Sequence, residues 1–163
     1  MGVIMAKKLF IDLDICDEKC PECEVQCSYF YHPWNNGITE LREKATYMLI
    51  CRKCESPTCV PSCPEEALKR GEDGILKRSS MKCVKCHTCV LACPFGTLHE
   101  DTIPFLRSSC DVCAGRADGQ APICVSTCPY GALKYVEMEE NPEEGIYQIR
   151  ENVLVHATAW KRE

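Results

Sequence analysis

Cys83-Val84-Lys85-Cys86-His87-Thr88-Cys89-Val90-Leu91-Ala92-Cys93-Pro94 decides how this chain reads. Three cysteines stand two residues apart, a fourth follows after three more, and a proline closes the run. The same grammar repeats on either side. Upstream, Cys51, Cys54, Cys59 and Cys63 are spaced C-x2-C-x4-C-x3-C before Pro64, and Cys16, Cys20, Cys23 and Cys27 are spaced C-x3-C-x2-C-x3-C before Ser28. Downstream, Cys110, Cys113, Cys124 and Cys128 are spaced C-x2-C-x10-C-x3-C before Pro129. The four quartets use all 16 cysteines of the 163 residues, so none is left over. After the terminal Cys-Pro come Glu65-Glu66-Ala67-Leu68, Phe95-Gly96-Thr97-Leu98 and Tyr130-Gly131-Ala132-Leu133. The internal repeat C-x3-C-P-x-x-[AT]-L is expected to form, each time, a short helical turn ending in a buried Leu.

Cysteine at this density must supply cohesion. The hydrophobic fraction is 45% with cysteine included, and roughly 35% without it, thin for a chain held by apolar burial alone. The length suits one ordinary domain or two small lobes. Met1 to Phe10 has neither the long apolar region of an export signal nor a twin arginine. A cytoplasmic location is therefore expected, where thiols stay reduced and serve metals rather than disulfides. Structural zinc is the main rival, but zinc sites combine separated C-x2-C pairs, often with His, and have no need of C-x2-C-x2-C followed by C-x3-C-P. The third quartet with Pro94 is instead the run that binds a [4Fe–4S] cube. Cysteines two apart in a tight loop can direct three sulfurs to three corners of one cube, with loop N–H groups facing the anionic cluster. The fourth cysteine lies past a change of chain direction and can serve a second cube.

Other functions fall away. Formal net charge is -5, from 19 Lys and Arg against 24 Asp and Glu, which opposes nucleic-acid binding. No stretch has the roughly 18 apolar residues of a membrane span. There is no phosphate loop, dinucleotide fingerprint or nucleophile elbow. His32, His87, His99 and His156 form no close metal-ligand pair, so no catalytic site of its own is expected. His87, between Cys86 and Cys89, reads either as an exposed loop residue or as a group that tunes a neighbouring cluster. Four oxidised cubes at about -2 each would bring the chain to about -13. Lys19, Arg52, Lys53, Lys82 and Lys85 are candidates to offset that charge.

The four quartets in this order resemble the four-cluster ferredoxin-type subunit of the DMSO-reductase class, and the compact chain resembles the small subunit of a tungsten aldehyde oxidoreductase. The resemblance covers about Phe10 to Val136. It implies an α+β fold of two bacterial-ferredoxin-like units, with short strands, turns and short helices wrapped around four cubane clusters. It also implies crossed ligand sets. Cys16, Cys20 and Cys23 would share a cube with Cys128, and Cys110, Cys113 and Cys124 with Cys27. Cys51, Cys54 and Cys59 would pair with Cys93, and Cys83, Cys86 and Cys89 with Cys63. The implied function is relay of single electrons between a catalytic subunit, carrying a tungsten or molybdenum pterin, and a second carrier such as a ferredoxin or a flavin subunit. A polyferredoxin subunit of a hydrogenase, formate dehydrogenase or carbon monoxide dehydrogenase, a free soluble polyferredoxin, and self-association into a longer wire stay open.

Along the chain, residues 1–136 are expected to form the double cluster domain, with outer motifs 16–27 and 110–128 and inner motifs 51–63 and 83–93. Residues 137–163 read as an acidic linker and a strand-like extension, with alternation at Val153, Val155, Ala157 and Ala159. Lys8 to Ile15 reads as a strand, and Glu40 to Ile50 as a strand-like lead into the second quartet. Gly71-Glu72-Asp73-Gly74 reads as a turn joining two strands. Tyr29 to Gly37 reads as an aromatic covering loop or docking patch, and Ala114 to Ile123 as an exposed polar loop. Long helices are not expected.

Overall fold

The computed structural model describes residues 6–27, 37–72, 74–98, 110, 113 and 120–158. Most of the aromatic segment after Cys27, and most of the loop after Cys113, lie outside them. The chain divides into two compact units. An outer unit combines Met1–Glu43 with Ser109–Glu163, and an inner unit is Lys44–Ser108. The fold is α+β.

The outer unit is built on a four-stranded sheet. Its strands are β1 (Lys8–Asp12), β4 (Leu133–Val136), β5 (Ile146–Arg150) and β6 (Val153–His156), in the order β4-β1-β6-β5. β1 pairs antiparallel with β4 and parallel with β6, with Leu9 opposite Val153 and Ile11 opposite Val155. Leu9, Ile11, Val153, Leu154 and Val155 are wholly buried. Phe10, Leu154 and Ile146 form an apolar cluster, with Val136 and Met138 packed against it. Both central strands thus read as continuous apolar runs because both of their faces are covered. Residues 137–163 supply the β5–β6 hairpin, introduced by a single 3₁₀ turn at Pro142–Glu144.

The strand expected over Lys8 to Ile15 stops at Asp12, and α1 (Leu13–Lys19) takes over. Asp12 is the reason: its side chain accepts a hydrogen bond from the Ile15 N–H, satisfying a helix-start donor. His156 Nδ1 lies 3.1 Å from the same carboxylate oxygen. The end of β6 is thereby held beside the start of the first cysteine loop.

The strand-like lead at Glu40 to Ile50 is a helix, α2 (Gly37–Lys53), 17 residues long. Ile38, Leu41, Ala45 and Leu49 are buried on it, a spacing of three, four and four that makes one apolar helical stripe. The expectation of no long helix is corrected with it. Arg52 and Lys53 occupy the last turn, where cations favour a helix terminus.

In the inner unit, β2 (Leu68–Arg70) and β3 (Leu76–Arg78) pair antiparallel, Leu68 opposite Arg78. The expected Gly71–Gly74 turn joins them, with Gly74 at φ 75°, a left-handed conformation that glycine adopts without strain. Helices α3 (Cys59–Ser62), α4 (Thr88–Ala92) and, in the outer unit, α5 (Ile123–Thr127) are each about one turn long. The repeat is corrected here. Its helical turn lies before the terminal Cys-Pro, not after it, and Leu68 and Leu133 begin strands. The leucines are buried as expected, Leu98 included.

Candidate iron–sulfur centres

Each C-x3-C-P segment folds by the same local rule. A helical turn carries the chain from the third cysteine, and the fourth ends it in extended backbone: Cys63 at φ -77°, ψ 112°, Cys93 at -74°, 114° and Cys128 at -69°, 113°. The following proline forces this, since a residue before proline is pushed out of the helical region. The chain then turns back through a left-handed residue, Glu66, Gly96 or Gly131. The fourth cysteine is thus turned away from the three before it.

Four sets of thiols come together. Cys16 is electrostatically coupled to Cys128, Cys23 and Cys20, and burial pushes its pKa up to about 11 against the opposing pull of Arg42. Cys124 is coupled to Cys110, Cys113 and Cys27, and burial pushes it up to about 12. Cys51, Cys54, Cys59 and Cys93 line one cavity, partly open to solvent. Burial pushes Cys59 up to about 11, with Cys51, Cys93 and Cys54 adding to the rise. Cys89 is coupled to Cys63 and Cys86, and Cys83 to Cys86. In every set the odd member comes from the other motif of the same unit.

None of the sixteen cysteines is joined in a disulfide. The sets offer sulfur alone, and hydrogen-bond donors surround it. The Ala67 N–H donates to Cys63 Sγ at 3.3 Å. Desolvation would raise Cys93, but the Thr97 hydroxyl and the N–H groups of Leu98, Phe95 and Thr97 bring it down. Cys86 is lowered by hydrogen bonds from Thr88. Such donors favour an anionic sulfur, as ligation of a cluster requires. The residues present therefore fit [4Fe–4S] cubes, which would supply one-electron redox chemistry.

Several contributing residues escape the sequence reading. Four arginines beyond the candidates Lys19, Arg52, Lys53, Lys82 and Lys85 bear on the cysteine loops. Arg42 donates to the carbonyls of Cys16 and Cys20, at 3.3 and 2.6 Å. Arg70 donates to the carbonyls of Cys54 and Arg52. Arg150 donates to the Cys110 carbonyl at 2.6 Å. Desolvation would raise the Cys83 thiol, but the hydrogen bond and charge of Arg78 together with the Lys85 N–H bring it down. One guanidinium thus serves each loop, fixing backbone and adding positive charge. Thr97 is the other addition. It is buried, and its hydroxyl lies 3.4 Å from both Cys51 Sγ and Cys93 Sγ. Its signal is present in the repeat, where the equivalent positions are Ala67 and Ala132. His87 is half-buried rather than exposed, in a left-handed conformation at the start of α4. Its buried Nδ1 has no protein hydrogen-bond partner, which suits a position beside cluster sulfides.

Two compact α+β units bearing four all-thiol sets define an iron–sulfur protein of the ferredoxin class. Residues 42–138 match the 4Fe-4S dicluster domain family. This protein belongs to that family and, within it, to the iron–sulfur subunits of the DMSO-reductase class. It is 32% identical over 151 residues to the probable anaerobic dimethyl sulfoxide reductase chain YnfG of Escherichia coli (strain K12), covering 80% of this chain and 73% of that protein. The same identity and coverage hold for the B subunit of anaerobic dimethyl sulfoxide reductase from that strain. The thiosulfate reductase electron transfer subunit PhsB of Salmonella typhi is 39% identical over 93 residues, 56% of this chain and 48% of that one. The protein carries [4Fe–4S] clusters, and its 16 cysteines fit four. Among the described residues no helix is long and apolar enough to cross a membrane.

Proposed function

We propose that this chain relays single electrons through four [4Fe–4S] clusters between a catalytic oxidoreductase subunit with a tungsten or molybdenum pterin and a second redox carrier, in the cytoplasm. The ligand sets proposed are Cys16, Cys20, Cys23 with Cys128; Cys27 with Cys110, Cys113, Cys124; Cys51, Cys54, Cys59 with Cys93; and Cys63 with Cys83, Cys86, Cys89. The observation that carries the reading is the coupling of thiols across motifs within each unit. The relatives add weight, since one is an electron transfer subunit by name and others are reductase subunits. Bound cubes supply the one-electron chemistry. The chain's own residues set how readily it occurs: Arg42, Arg70 and Arg78 through charge, Thr97 and loop N–H groups through hydrogen bonds.

The test is metal and sulfide analysis of the complex purified anaerobically with its partners. About sixteen irons per chain is expected for four cubes, with tungsten or molybdenum in a co-purifying large subunit. Sixteen irons with nickel, or with no second metal, would redirect the partner assignment to a hydrogenase, a carbon monoxide dehydrogenase or a free polyferredoxin. Zinc in place of iron would overturn the function.

A further inference from the structure

The two units differ sharply in charge. Lys44–Ser108 holds ten Lys and Arg against seven Asp and Glu, a net of +3, whereas the remainder holds nine against seventeen, a net of -8. Two bound cubes per unit would leave the inner unit near ~-1 and the outer near ~-12. An acidic protein is therefore directed to the inner unit.

Among the described residues of that unit, four of the five exposed large hydrophobic side chains lie on one cysteine segment, Tyr47 being the fifth. Met81 is 94% exposed, Leu91 89%, Val84 62% and Phe95 61%. Lys82 and Lys85 are exposed between them. Folding does not call for these apolar groups. Leu91 and Phe95 occupy repeat positions that hold Pro61 and Glu65 in the second motif and Ser126 and Tyr130 in the fourth. All six are exposed, so these positions face outward in the three motifs that end in Cys-Pro, and only the third fills both with large apolar groups; in the first motif the equivalent of Leu91 is Val25, which is buried. A patch of this kind marks a protein contact. The same segment carries Cys86, the one cysteine of the sixteen classed as exposed. A short path to a partner's redox centre is available there.

We infer that the surface formed by Met81, Val84, Leu91 and Phe95 with Lys82 and Lys85 docks an acidic one-electron carrier protein, with the set Cys63, Cys83, Cys86 and Cys89 as the electron port. The inference rests on the electron-transfer reading and its ligand sets. One electron leaves the chain as the carrier's redox centre gains one, or the reverse when the carrier is the donor. No bond forms or breaks, and no proton is required. The apolar groups provide contact area, and the lysines meet an acidic rim on the carrier, raising its encounter rate.

The experiment uses the native complex, with a purified acidic two-cluster ferredoxin as the carrier and methyl viologen as a small-molecule control. The double variant Met81→Glu/Leu91→Glu should raise the ferredoxin KM at least ten-fold while iron content, cluster EPR and the viologen rate stay as in the wild type. The wild-type ferredoxin rate should fall as salt is raised. Hydrogen exchange on the wild-type complex should show ferredoxin protecting residues 81–95, a readout that needs no variant. An unchanged KM in an iron-replete variant, or protection confined to the outer unit, would overturn the docking site. A variant that altered only self-association, with ferredoxin kinetics intact, would also overturn it in favour of a second copy. Failure of the wild type to exchange electrons with either ferredoxin or viologen would instead sink the electron-transfer reading itself.

Discussion

The outer unit is held by a sheet, and the inner unit by its cysteine loops. In the outer unit β1 and β6 lie side by side, and Leu9, Ile11, Val153, Leu154 and Val155 are wholly buried. In the inner unit the apolar cluster is Cys59, Leu68 and Leu98, and two of the groups packed against it are Cys89 and Cys93. Its sheet is a hairpin of two three-residue strands, marginal by itself in water. Much of what packs there is also what is proposed to ligate. The lesson is that two units built from the same motif need not share a source of stability: one draws on a buried sheet, the other on a small cluster that includes its cysteines.

The largest effect follows directly. Removing iron under anaerobic, reducing conditions should abolish slow amide exchange over β2, β3, α3 and α4 while β1, β5 and β6 stay protected, because metal binding to the inner unit is part of its folding free energy. Hydrogen exchange read by mass spectrometry checks it, and an inner unit with native protection in the iron-free chain would break the comparison. A smaller effect belongs to the outer core. Leu154→Ala should cost about 2–5 kcal/mol through lost burial and a residual cavity. Thermal unfolding of the iron-free chain should show it as an earlier loss of the sheet, and an unaltered midpoint would mean that the sheet is not what holds this unit. The smallest effect separates tuning from holding. Thr97→Val should leave iron content unchanged but lower the potential of one cluster, because the hydroxyl no longer donates to Cys51 or Cys93. A hydrogen bond worth ~1 kcal/mol more to the reduced state corresponds to about 40 mV in a one-electron couple. Redox titration followed by EPR would register the shift; a potential rising instead would reverse the sign of the argument.

What the sequence discloses depends on how far apart the interacting residues stand. The cysteine runs are local codes, and their spacing declares the cluster chemistry at once. The Gly71–Gly74 turn and the alternation at Val153 and Val155 are equally local, and hairpin and strand both form. The end of β1 is harder to read because Leu13 and Ile15 continue the alternation while Asp12, a polar residue within it, is a helix cap. Helix α2 is misread when position before a cysteine loop outweighs period, for its stripe of Ile38, Leu41, Ala45 and Leu49 is helical in spacing. The arginines are hidden for another reason. Arg42 reaches Cys20 across 22 residues, Arg70 reaches Cys54 across 16 and Arg150 reaches Cys110 across 40. Charge distant from a cysteine in sequence can therefore lie beside its loop in space.

The parallel pairing of β1 with β6 also imposes an order on biogenesis. Asp12 meets His156 across 144 residues, and the outer sets draw on thiols from both arms of the chain. The inner unit is a single continuous stretch that emerges from the ribosome whole. At roughly 5–20 residues per second, β1 waits about 7–30 s for its partner to be synthesised. With the proposed ligand sets, delivery of iron and sulfide can therefore begin at the middle of the chain while the outer unit is still open, which would leave the outer cubes as the last step of assembly.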